Sequence, residues 1–109
     1  MKDKDIIIKF FEDISLITKK TSLFQLTDVY GIRLAMYGYI MGKNSIVLNE
    51  FYAGFQDFVN EEYAEDFTSK KEYDWPRLIW FNSSDGLYSI QLFNLLFGKF
   101  FNLYLPRVS

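Results

Sequence analysis

The sequence predicts an all-α fold, a compact single domain spanning residues 1–109 and built from about five helices. Three observations carry that reading. Half of the 109 residues are hydrophobic and a fifth are aromatic, which supports one packed core and is far from the polar, highly charged composition of disordered chains. Apolar residues recur at three- and four-residue spacing through most of the chain. No window alternates apolar and polar residues between turn signals, as a half-buried strand would. No internal repeat or low-complexity tract divides the chain, and its length suits one domain.

The first helix is read over residues 4–19, where Ile7, Phe10, Phe11, Ile14 and Ile17 share a face. Asp3 and Asp5 near its start and Lys19 and Lys20 near its end match the helix dipole. The second is predicted over residues 23–41, opened by Ser22-Leu-Phe-Gln25 at capping-box spacing. Apolar residues surround much of it, so a central position is expected. Gly31, Ala35, Gly38 and Gly42 fall on one line. They are expected to form a tight packing seam, with Gly42 closing the helix in the left-handed conformation.

"KNSIVLN" reads as a loop, a short extended piece or the first turn of the third helix, with Asn44 or Ser45 as cap. The third helix is placed over residues 47–66, and "FTSKKEYD" after it is a polar loop. "DWPRLIWFN" is a short fourth helix. Asp74 is placed to cap it, and Pro76 sits in a first turn where a missing N–H does no harm. Trp75 and Trp80 are five apart, a spacing that lets one face the core and the other not. The fifth helix spans residues 86–104, with Ser83 or Ser84 as cap and Pro106 as its end.

The composition excludes several functions. There is no Cys and no His, which removes thiolate nucleophiles, disulfides, histidine-based triads and ordinary zinc sites. Neither a Gly-rich phosphate loop, a Gly-x-Ser-x-Gly elbow nor a complete calcium-binding loop is present. Carboxylate pairs alone do not make a glycosidase without an extended cleft between them. The chain is therefore expected not to be an enzyme and to hold no cofactor or metal. The net charge of −2 argues against direct nucleic-acid binding, which needs clustered cations. Lys19–Lys20 and Lys70–Lys71 read as solvated helix ends. "MKDKDIIIKFFED" lacks the form of a secretory signal. The apolar stretch Leu23–Met41 contains Gln25, Asp28 and Arg33, so no membrane span is expected. With no disulfides available, the cytoplasm is the expected location.

The stretch "EFYAGFQDFVNEEYAED", residues 50–66, carries six carboxylates and no Lys or Arg. At about 100° per residue, Leu48, Phe51, Tyr52, Phe55, Phe58, Val59 and Tyr63 form its core face. Glu50, Asp57, Glu61 and Glu65 fall in a narrow arc on the flank, with Gly54 leaving a bare patch among them. Glu62 and Asp66 lie nearer the apolar face and mark where the helix leaves the core. Most of these acids lie towards the helix C-terminus, where the dipole disfavours them. The pairs Asp57–Glu61 and Glu61–Glu65 each lose about 0.2–0.5 kcal/mol by repulsion.

Two readings follow: a face charged for solubility, or a surface that steers and orients a basic partner. On the second, Tyr63 and Tyr73 supply contact area, and Glu72 and Asp74 extend the negative surface if the loop folds back. The candidate partner-binding residues are thus Glu50, Asp57, Glu61, Glu65, Asp66, Tyr63, Glu72, Tyr73 and Asp74. In the last helix, Gln91, Asn94, Gly98 and Asn102 align opposite Ile90, Phe93, Leu96, Phe97, Phe100, Phe101 and Tyr104. That uncharged polar line bonds to neighbouring helices or water, or forms a homodimer contact.

"NEFYAGFQDFVNEEYAED" followed by "DWPRLIWFNSSDGLYSIQLFNLLFGKFF" resembles the small helical immunity proteins of bacterial contact-dependent growth inhibition and related polymorphic toxin systems. The shared pattern is an aromatic-rich helix ending in acids, a Trp-initiated short helix, a Ser/Asp restart and an apolar last helix. The resemblance implies a cytoplasmic toxin inhibitor that binds a cognate toxin domain delivered by a neighbouring cell. Many such toxins are nucleases with basic clefts, which the immunity protein covers or locks from one side. Binding residues vary between such systems, so the resemblance assigns none here. The alternative is a helical adaptor or regulatory domain, homodimeric in one form, with no toxin partner.

Overall fold

Six helices follow one another in the computed structural model, which describes residues 3–63 and 73–108. They are α1 (Asp3–Lys19), α2 (Thr21–Phe24), α3 (Val29–Lys43), α4 (Ile46–Glu62), α5 (Trp75–Phe81) and α6 (Gly86–Tyr104), followed by a 3-10 turn at Leu105–Arg107. No strand occurs among the described residues, and no helix among them is long and apolar enough to cross a membrane. Five of the helices match predicted ones, and the all-α reading holds.

The predicted second helix is two helices. Gln25 takes a left-handed φ of 56°, and its N–H bonds back to Ser22 and Thr21 carbonyls. Leu23 and Phe24 stay exposed, so no core contact holds that turn in line with the next. Asp28 then restarts the chain: its extended backbone places the carboxylate to accept the Tyr30 N–H at 2.9 Å. Ser22 caps nothing, since the residue before α2 is Lys20 and no side chain bonds there. The cap that forms is an Asp whose following residue, Val29, is fully buried.

Other ends differ in detail. Asn44, at φ 50°, closes α3 by donating its N–H to the Ile40 carbonyl at 2.9 Å. Gly42 lies within the helix and has no positive φ. Of the two caps offered for the next helix, Ser45 is the one used, accepting the Leu48 N–H at 3.2 Å. Asp74 caps α5 as expected, with Pro76 in the first turn. Asp85, rather than Ser83 or Ser84, caps α6 by accepting the Tyr88 N–H at 2.8 Å.

The core is an aromatic stack organised by α6. Phe97 has ring centroids of Phe93, Phe55, Phe51 and Phe10 within 4.9–6.3 Å, joining α6 to α4 and α1. Most of these pairs meet edge to face, the arrangement ring quadrupoles favour. Trp75 of α5 is fully buried against Phe55 and Phe93. On α4, Leu48, Phe51, Phe55 and Val59 are buried, while Tyr52, Phe58 and Tyr63 pack against the core at its edge. The predicted core face of this helix is thus the observed one.

α3 is not central. Its inner side packs on α1, α5 and α6, but Leu34 and Met41 are 67% and 78% exposed. The small-residue line follows that outer side. A Cβ on Gly31 would meet Leu26, yet Gly38 and Gly42 face open space, so no packing seam forms along them. Close approach occurs elsewhere, at Gly86, where an added Cβ would fall on the Thr27 carbonyl oxygen. Beside it, the buried Ser89 hydroxyl donates to the Gly86 carbonyl at 2.6 Å and accepts the Val29 N–H at 3.1 Å. The start of α6 therefore holds the start of α3.

Candidate functional site

α4 lies between α5 on one flank and α6 on the other. On the α6 flank, Gly54 brings the helix close to Phe100: a Cβ there would lie 3.0 Å from the ring. Gly54 is therefore a packing position, not a bare patch among carboxylates. On the α5 flank, the Gln56 side-chain oxygen accepts the Trp75 N–H at 2.8 Å, and the Tyr52 hydroxyl accepts the Trp75 indole N–H at 3.0 Å. Between the flanks, Glu50, Asp57 and Glu61 are exposed on one line along the helix. From Glu50 to Glu61 that line rises about 16 Å.

This acidic crest carries no ion pair among the described residues. Among the described residues, Glu62 is the one acid of α4 in an ion pair, with Lys99 of α6 at 3.6 Å. Glu50 shares a cleft of about 270 Å³ with Asp3, Tyr104 and Arg107. Burial first, and then the Glu50 charge, pushes the Tyr104 phenol above its ordinary pKa. Glu65, Asp66 and Glu72 lie outside the described residues.

The remaining predicted site residues belong to other settings. Tyr63 ends α4, half-buried, with its N–H on the Val59 carbonyl at 3.2 Å. Tyr73 and Asp74 lie at the start of α5, which the Trp75–Gln56 bond ties to the Gln56 side of α4. That side is one residue, about 100°, away from Asp57. Asp74 caps α5 through the Arg77 N–H at 3.3 Å and also receives Arg33 Nη1 at 3.0 Å. Its charge is matched, so it does not lengthen the crest.

Arg33 opens a second surface that the sequence reading missed. Its guanidinium sits 5.9 Å from the Tyr30 ring and 6.0 Å from the Tyr37 ring. Tyr30 meets Trp80 at 6.1 Å. Arg77 lies 5.5 Å from the rings of both Tyr73 and Phe81. Trp80, 39% exposed, Phe81 and Tyr37 remain open to solvent. Burial drives the Tyr52 phenol well up; the hydrogen bond from the Trp75 indole offsets part of this, the Tyr37 contact adds to it, and Arg33 lowers it slightly. Arg33 and Asp74 are 41 positions apart, so no local pattern joins them. The usable signal was compositional: Arg33 within a Tyr-rich helix and an Arg inside "DWPRLIWF", residue types enriched where proteins meet.

On α6, the predicted polar line splits. Asn94 turns inward and accepts the Thr18 hydroxyl of α1 at 2.8 Å, Gly98 faces open space, and Gln91 and Asn102 are exposed. Among the described residues, no three carboxylates are grouped so as to hold a metal ion. Chemically, the crest offers a row of exposed anions that form no ion pair among the described residues, suited to meeting cations on a partner. No protein-family model matches the chain, and comparison with curated proteins and with solved structures finds no match either.

Proposed function

We propose that this chain is a stoichiometric protein-binding inhibitor of the immunity-protein kind, which acts in the cytoplasm and neutralises a cognate toxin domain through the crest of α4. The observation that carries this reading is the exposed line Glu50–Asp57–Glu61, none of which makes an ion pair among the described residues. A nuclease domain with a basic cleft is the partner whose charge complements that line, and complementary potential raises the encounter rate and sets orientation. The lack of His and Cys supports binding over catalysis. A second reading, an adaptor that pairs with its own copy, is favoured by Leu87, Leu95 and Leu103, all exposed on α6.

The test is a pull-down with this protein as bait in lysate expressing its genomic neighbours, at low and high salt, repeated with Asp57→Lys/Glu61→Lys. Both side chains are exposed, so the double variant is expected to keep its stability within about 1 kcal/mol. Capture of a basic toxin domain that weakens with salt, and association at least about tenfold slower for the variant, is the expected result. Equal binding by the variant removes the crest from recognition. Self-association with no second protein favours the adaptor.

A further inference from the structure

The outer side of α6 carries an ordered pattern of its own. Tyr88, Gln91, Leu95, Gly98 and Asn102 follow one another at alternating three- and four-residue spacing, the heptad seam along which helices pair. Tyr88 and Leu95 are 44% and 61% exposed, Gln91 and Asn102 are exposed, and a Cβ on Gly98 would meet nothing within 4 Å. Leu87 and Leu103, also exposed, flank the seam near its two ends. The seam lies about 120–180° around the helix from Phe100, whose ring packs on Phe51 and Phe55 of α4. It therefore points away from α4.

Charge and symmetry together name the occupant. From Gly86 to Pro106, Lys99 is the one charged residue, and Glu62 holds it at 3.6 Å. The seam thus offers nothing to select a charged partner. Its polar side chains are a phenol and two amides, each both donor and acceptor, so they pair with copies of themselves. The pattern also reads the same from either end about Leu95: Tyr88 and Asn102 stand at equal distances on its two sides, as do Leu87 and Leu103. Turning the helix end for end about Leu95 lays the seam on itself, which is what an isologous two-fold contact requires. Antiparallel order also sets the N-terminus of each helix dipole beside the C-terminus of the other. A contact along this length removes on the order of 1,000 Å² in total, the least that a specific interface needs and short of the usual ~1,600 Å². We propose that this chain forms a weak homodimer through α6, the two helices antiparallel, with Leu95 at the two-fold axis and Tyr88 of each copy level with Asn102 of the other. The pairing goes beyond the toxin-binding reading and stands beside it, because a seam that points away from α4 leaves each copy its crest.

The chain has no cysteine, so single introduced thiols report the geometry. On mild oxidation Leu95→Cys is expected to cross-link with itself. Tyr88→Cys and Asn102→Cys are each expected to stay uncrosslinked alone and to form the mixed dimer when combined. Sedimentation velocity of the parent chain should pass from monomer towards dimer between about 10 µM and 1 mM. Leu95 is exposed, so Leu95→Glu keeps the fold, and it should weaken association at least about tenfold. Asp57→Lys/Glu61→Lys should leave association unchanged. A monomer throughout that range, association unaltered in Leu95→Glu, or self-cross-linking of Tyr88→Cys and Asn102→Cys as readily as Leu95→Cys would each overturn the proposal. Loss of association in Asp57→Lys/Glu61→Lys would also overturn it, by placing the contact on the crest. Toxin capture is read separately, in the pull-down, so the two readings fail independently.

Discussion

Asp57 on the crest of α4 and Asp74 at the start of α5 are both exposed aspartates on neighbouring elements. Asp57 makes no hydrogen bond or ion pair among the described residues. Asp74 accepts the Arg77 N–H and the Arg33 guanidinium, and Arg33 in turn lies against Tyr30 and Tyr37. One region thus carries charge that no bond among the described residues uses, and the other carries charge that ties α3 to α5. Charge that a fold leaves unsatisfied at its surface is available to a partner. Charge locked into an internal pair is not, unless the pair opens.

The largest effect that sharpens this contrast is expected at Trp75. It is fully buried and donates both its backbone and indole N–H groups to α4. Trp75→Ala should lose about 3–5 kcal/mol of stability, read by denaturant unfolding, and should detach α5 from α4. A loss below about 1 kcal/mol would mean that α5 does not anchor the second surface.

A paired measurement on the two aspartates comes next. Asp74→Ala removes a helix cap and one half of an exposed ion pair, and should lose about 0.5–2 kcal/mol, most of it from the cap. Asp57→Ala should stay within about 0.5 kcal/mol of the parent. Equal losses would erase the distinction between the two regions.

The smallest effect is at alkaline pH. Because burial raises the Tyr52 phenol above its ordinary 10.0, the folded state prefers it neutral. The associated stability is whole below pH 10 and is lost as pH rises towards the folded value. At pH 10 the loss is at most about 0.4 kcal/mol, less to the extent that solvent reaches the half-buried hydroxyl. Tyr52→Phe should flatten the decline in unfolding free energy above pH 10, whereas Asp57→Ala should leave it unchanged.

Much of the fold was legible because its signals are local. The apolar spacing of α4 marked Leu48, Phe51, Phe55 and Val59, and Asp74 with Pro76 marked the start of α5. The break at Gln25 was not legible. Leu23 and Phe24 continue the apolar pattern, and only the absence of anything to pack them against ends the helix. The Gly31–Gly42 line misled for the same reason, since small residues imply close contact only where a neighbour is present. Of the candidate site, the line Glu50–Asp57–Glu61 followed from helical periodicity alone. The neutralisation of Asp74 depended on Arg33, 41 positions away, which periodicity does not encode.

The Val29 N–H bonded to the Ser89 hydroxyl joins residues 60 positions apart. A helix normally satisfies its first N–H groups from the few residues just before it, but here one of those donors waits for a side chain of the last helix. During synthesis, α3 leaves the ribosome with that donor facing water, and so it stays until Ser89 has also emerged. The N-terminal turn of α3 is therefore completed late, by long-range docking rather than by local helix growth. Loop closure over that span comes before the bond can form. The end of the chain, rather than its beginning, decides when the helix made in the middle is finished.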